Sequence, residues 1–153
     1  MLIPSQISLA GATAGQRLEA IRGRIASAAR QAGRDEHCVT LLAVSKGHEA
    51  GLVRAFAAAG QRDFGENYLQ EALPKMDALA DLPLTWHFIG ALQANKTRAV
   101  AERFQWVHGV DRLRVAQRLS DQRPFHAPPL NVCLQVKVAD DPGKGGVAPG
   151  ELP

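Results

Sequence analysis

A lysine closes the most apolar short run of this chain. Val39 to Val44 (VTLLAV) leads directly into Ser45, Lys46 and Gly47. A short, nearly continuous apolar run ended by glycine reads as a strand buried on both faces, as in parallel sheets. Lys46 then stands at the carboxyl end of that strand, the edge where open α/β sheets and (β/α) barrels bind ligands. An ammonium at a buried strand end is costly unless its charge is matched. Lys46 is therefore a counter-ion for an acidic ligand, half of an ion pair, or an amine held neutral for covalent chemistry with a carbonyl.

Other polar residues interrupt the apolar pattern at comparable places. Glu66 and Asn67 follow the run RDFG, His87 lies within LTWHFIG, Asn95 and Lys96 come just after it, and His108 lies in WVHGV. In LNVCLQVKV, period-two alternation puts Asn131, Cys133, Gln135 and Lys137 on one face. Barrel interiors are normally filled with branched apolar side chains, so polar groups on an inward face near the top suggest a pocket. Each also has a plainer role. Glu66 caps the next helix, His87 is a hydrogen-bonded core histidine, Asn95 and Lys96 open a helix, and Lys144 is a solvated charge. The PGKGG setting of Lys144 lacks the spacing and the terminal hydroxyl residue of a nucleotide P-loop.

Five strands are expected to position these groups: Val39–Val44, Arg62–Gly65, Leu84–Gly90, Trp106–Val110 and Leu130–Val138. Leu18, Ile21, Ile25, Ala29 and Ala32 recur at helical spacing, predicting an amphipathic helix from about Thr13 to Gly33. A second helix carries Leu52, Val53, Phe56 and Ala57 up to Gly60. A third carries Tyr68, Leu69, Ala72, Leu73 and Met76 and is interrupted or slackened by Pro74. A fourth carries Val100, Ala101 and Phe104. Asp111 is placed to cap a fifth, which holds Leu113, Val115, Ala116 and Leu119. Helices alternating with buried strands impose a parallel sheet. A complete (β/α) barrel takes about 250 residues, so five of its eight units would take about 156. The chain has 153 and ends in a glycine-proline loop after an apolar strand, which reads as an unfinished barrel in one domain, 1–153.

Composition narrows the classes. With 46% hydrophobic and 22% charged residues the chain reads as globular rather than disordered. The net charge of +3 comes from 18 basic residues scattered among 15 acidic ones, without the dense basic block that a nucleic-acid binder shows. The start, MLIPSQISLAG, lacks a basic leader, so no signal peptide is expected, and no stretch approaches the roughly 20 apolar residues of a membrane span. Cys38 and Cys133 read as two free thiols in a reducing compartment, and no metal-ligand spacing occurs.

LLAVSKG, FGENYLQEALPK, WHFIGALQANK, VDRLRVAQRLSDQRP with PPLNVCLQV, and DDPGKGG together resemble the pyridoxal-phosphate homeostasis protein family, a relative of the N-terminal barrel of alanine racemases. The motifs occur in family order from about Leu18 onward. The resemblance implies a cytoplasmic (β/α)8 TIM barrel of the alanine racemase N-terminal type, here with its first five strands only. It implies pyridoxal 5'-phosphate held as a Schiff base on Lys46, with cofactor homeostasis rather than turnover as the role. It further implies that Asn67, His87 and Asn95 line or support the cofactor pocket, with Asp141 and Lys144 in a loop at its mouth. No catalytic residue, metal, membrane or nucleic acid is implied. A racemase would need acid–base groups on both faces of the substrate, and no convincing partner to Lys46 is found, Cys133 being only a candidate. A degenerate fragment that binds nothing is the third reading. The family commonly has threonine and proline where this chain has Gly47 and Glu49, a proline at Ala91, and an asparagine at Lys137. Lys137 is expected to pair with the cofactor phosphate. The serine-methionine-glycine and arginine-isoleucine-glycine stretches that bind phosphate in the last three family strands do not occur here. A complete barrel would be a monomer, whereas this chain is expected to bind the cofactor poorly and to self-associate or unfold.

Overall fold

The computed structural model describes residues 11–139, 143 and 145–152. Five strands, β1 (Ala43–Val44), β2 (Asp63–Glu66), β3 (Thr85–Phe88), β4 (Trp106–Val110) and β5 (Asn131–Leu134), form one sheet. They pair in parallel and in chain order. Helices α1 (Ala14–Gln31), α2 (Ala50–Ala58), α3 (Leu69–Ala78), α4 (Thr97–Arg103) and α5 (Leu113–Gln122) precede or connect the strands. A doubly wound sheet reverses its strand order at a switch point. This one never does, so the crossovers accumulate in one direction, and the arc is five strands of a (β/α) barrel.

The core lies between the sheet and its helices. Phe64, Trp86, Phe88 and Val107 point outward from β2, β3 and β4 and meet Val53 and Ala57 of α2, Leu69, Ala72 and Met76 of α3, Val100 and Ala101 of α4, and Val115 and Leu119 of α5. Each is at most 6% exposed, and burying one such side chain contributes roughly 1.5–3 kcal/mol. Helix α1 begins as expected, with Thr13 and Gln16 closing a capping box, and its end passes into Gly33 at φ +66°. Only Leu18 and Ala29 of its apolar stripe are buried.

Four sequence expectations are corrected. The first strand is two residues long, not six, and Val39 and Val44 are 42% and 50% exposed, because β2 is its one neighbour among the described residues. The fifth ends at Leu134 rather than Val138, after a register shift against β4, with one further bridge from Val136 to Val147. Helix α3 runs unbroken through Pro74. The missing N–H leaves one carbonyl, that of solvent-exposed Gln70, without its helical donor, which water can replace. Asp111 does not cap α5: its carboxylate accepts from Arg112 Nε at 2.9 Å, and Arg112 itself occupies the cap position.

Candidate functional site at the carboxyl rim of the arc

The β1–β2 register fixes what Lys46 can meet. Val44 pairs with Gly65, and the ladder continues through Ser45, whose N–H donates to Gly65 O at 2.9 Å. Two residues beyond that pair, Lys46 stands level with Asn67. Gly65 pairs in turn with His87. By strand alternation Lys46, Asn67 and His87 therefore derive from the concave face, while Ser45, Glu66 and Phe88 derive from the helix-covered one. Lys46 itself is exposed, not buried as the apolar run suggested, because β1 is an edge strand. It forms no ion pair with a described residue and borders none of the described cavities.

Asn67 lies just past β2, and its Oδ1 is buried without a hydrogen-bond partner. A buried amide oxygen left unpaired costs about 1–3 kcal/mol, so this atom marks a place where a donor is wanted. Asn67 also borders a cavity of about 500 Å³ with Tyr68, Gln70, Gly90, Gln93 and Lys96. Asn95 lies in the 3-10 turn Ala94–Lys96 on the same rim and is exposed. That turn is held from α5. Arg118 Nε donates to Ala94 O (2.9 Å) and Thr97 Oγ1 (3.1 Å), and Arg112 reaches Leu92 O (3.1 Å). Arg123 donates to Ala101 O and Phe104 O at the end of α4. Arg112 and Arg118 of VDRLRVAQRLSDQRP thus fasten the β3–α4 connection and Arg123 the end of α4, while Arg114 is exposed.

His87 sits within β3, below the rim, with both ring nitrogens engaged. Its Nε2 meets Asp63 Oδ1 and its Nδ1 meets His108 Nε2, each at 3.0 Å, and its ring stacks on Trp106 at 5.6 Å. With Asp63 accepting, His87 Nε2 carries a proton, and in the neutral ring Nδ1 is then left to accept from His108 Nε2–H. His108 has its pKa held below the usual histidine value, chiefly by burial and then by the neighbouring His87. This row supports the concave face from beneath. Asp63, which the sequence reading missed, was recoverable from its position two residues before Gly65 on the same strand face.

Glu66 is the clearest relocation. It neither caps α3 nor lines the rim with Asn67. Its side chain is fully buried on the helix side, where Oε1 accepts from Lys75 Nζ at 2.6 Å and from Ser45 Oγ at 2.5 Å. Alternation explains this, since adjacent residues of one strand face opposite ways. Lys137, past β5, is half-buried, and its N–H donates to Val147 O. Asp141 and Lys144 lie outside the described residues. Both cysteines are free thiols, Cys38 exposed and Cys133 half-buried.

The alanine racemase, N-terminal domain family matches residues 16–153. The chain belongs to this family. Among curated members, the pyridoxal phosphate homeostasis protein of Pseudomonas aeruginosa is 61% identical over 141 residues, covering 92% of this chain and 61% of that protein. PipY of Synechococcus elongatus, solved without PLP, superposes with a TM-score of 0.79 at 42% identity, over 90% of this chain and 60% of PipY. Its form with PLP bound gives 0.71 at 44% identity, over 84% and 60%. This family member spans about three-fifths of the length of the relatives it matches. Among the described residues no helix is long and apolar enough to cross a membrane.

Proposed function

We propose that this chain holds pyridoxal 5'-phosphate covalently on Lys46 and serves cofactor homeostasis in the cytoplasm rather than rapid turnover. The observation that carries this is the pairing of an exposed lysine amine and the orphaned Asn67 oxygen at one level of one rim. It is supported by a relative solved with PLP bound and a relative named for pyridoxal phosphate homeostasis. When bound, the cofactor supplies an aldehyde that a neutral lysine amine takes up with release of one water.

The residues present fit the aldehyde end of this group. Lys46 offers an amine free of any described ion pair, and Asn67 Oδ1 offers an acceptor to a hydroxyl. Asn95 lies in the turn on the same rim, and His87 stiffens the floor through Asp63 and His108. Lys137, which period-two alternation puts on one face with Asn131 and Gln135, pairs with the phosphate. Lys137→Ala then weakens cofactor binding in a fluorescence titration, and unchanged affinity removes that role.

Incubating the purified chain with pyridoxal phosphate, reducing with borohydride and mapping peptides by mass spectrometry tests the central reading. One adduct on Lys46 is expected, absent in Lys46→Ala. A folded chain with no adduct, or with adducts spread evenly over its surface lysines, overturns it.

A further inference from the structure

Helix α3 reaches over the end of β1 with two side chains one turn apart. Glu71 Oε2 accepts from Gly47 N–H at 3.1 Å, and Lys75 Nζ donates to Ser45 C=O at 2.8 Å. These are the amide immediately after Lys46 and the carbonyl immediately before it. Residues i and i+4 on a helix normally pair with one another, acid before base being the favourable order. Glu71 and Lys75 have that order, yet each is turned to the β1 terminus. Lys75 is held there by Glu66, and the Lys75 and Glu66 side chains are 6% and 0% exposed. Glu66 also holds Ser45 Oγ, so the residue before Lys46 is tied by backbone and side chain alike.

We infer that Glu71 and Lys75 form a clamp that fixes the peptide planes on both sides of Lys46 and thereby aims its amine at the rim. An edge strand of two residues has little of its own to hold a strand-end lysine in place. Gly47 adds to the need, because at φ +72° the chain turns away directly after Lys46, with nothing within 4 Å of where a Cβ would stand. Without partners for residues 45 and 47, the lysine backbone would sample many orientations, and ordering it would then cost binding free energy. The buried Glu66–Lys75 pair is costly to desolvate, and the tether to the Ser45 carbonyl gives the lysine end of it a function beyond packing. Glu71 and Lys75 are positioning residues, since both act on Lys46 through its neighbours.

This inference rests on the reading that Lys46 takes the cofactor, and its test separates the two. Glu71→Ala removes an exposed side chain and leaves the core intact. Lys75→Met combined with Glu66→Leu removes both buried charges together, so no unpaired ion remains. Amide hydrogen exchange on the full chain without cofactor reads the clamp directly. Faster exchange at Gly47 and His48 is expected in both variants, while the β2 and β3 amides stay protected. Pyridoxal phosphate titration reads the consequence, an affinity loss of about tenfold for each variant. Glu71→Gln, which keeps an acceptor oxygen, restores most of that affinity. Unchanged exchange at Gly47 overturns the clamp. Faster exchange with unchanged affinity, and an adduct rate on Lys46 equal to that of the unsubstituted chain, overturns its positioning role. An unsubstituted chain that forms no Lys46 adduct overturns both the cofactor reading and the aiming role, whatever the exchange shows.

Discussion

At the scale of single residues, burial separates the two lysines that share the β1 terminus. Lys46 is exposed and free of described ion pairs, whereas Lys75 is buried against Glu66. Lys75→Met alone strands the Glu66 carboxylate in the core. Breaking a buried pair from one side costs about 3–5 kcal/mol, so the urea midpoint falls sharply, and adding Glu66→Leu recovers most of the loss. A second prediction concerns His108. Its folded pKa lies below the unfolded value near 6.5, through burial and the facing His87. Between those two values the unfolded chain binds more protons, so stability declines as pH drops through that window and levels off beneath it. Urea melts from pH 7.5 down to pH 5 should show this slope, and His108→Gln should flatten it. The strand-end position of Lys46 was legible because the apolar run VTLLAV precedes it, and that of Asn67 because it follows the short strand RDFG. The burial of Glu66 was not, since the partners that bury it, Ser45 and Lys75, are 21 and 9 residues away.

At the scale of elements, all five strands and five helices were legible, because buried parallel strands and amphipathic helices leave different periods in the chain. Their ends were not. How far β1 and β5 extend depends on what pairs with them, and pairing is a property of neighbours rather than of the run itself. The role of α5 was hidden for the same reason. Its arginines suggest a solvated face, yet Arg112, Arg118 and Arg123 all donate to carbonyls of the β3–α4 connection or of α4. Gly90 sets how closely that connection approaches the one after β2. A Cβ there would overlap the carbonyl and Cα of Asn67. Gly90→Ala must therefore separate the two loops, at a cost of about 1–3 kcal/mol for overpacking. A lower thermal midpoint is expected, with the largest chemical-shift changes at Asn67 and Gln93. A midpoint within a degree of the unsubstituted chain would show that the loops part freely.

At the scale of the whole molecule, the arc has a closed face and an open one. The helices cover the outer face well, but β1 and β5 each have one neighbouring strand among the described residues. Val44 on one edge and Val132 and Leu134 on the other are 50%, 41% and 51% exposed. An exposed, apolar strand edge is a template for pairing with another chain, and lysine on such an edge is the usual means of blocking it. A chain of these 153 residues is therefore expected to associate as its concentration rises, with β5 the better template because it is the longer edge. Light scattering across a hundredfold dilution series should show the mass falling toward that of one chain. Placing lysines on the edge, as Val132→Lys with Leu134→Lys, should hold the chain at one copy over the same range. Helix content by circular dichroism should be unchanged, since neither side chain belongs to the outer core. A constant single-chain mass at every concentration, before any substitution, would mean that these edges are protected and that the open face is not a pairing surface.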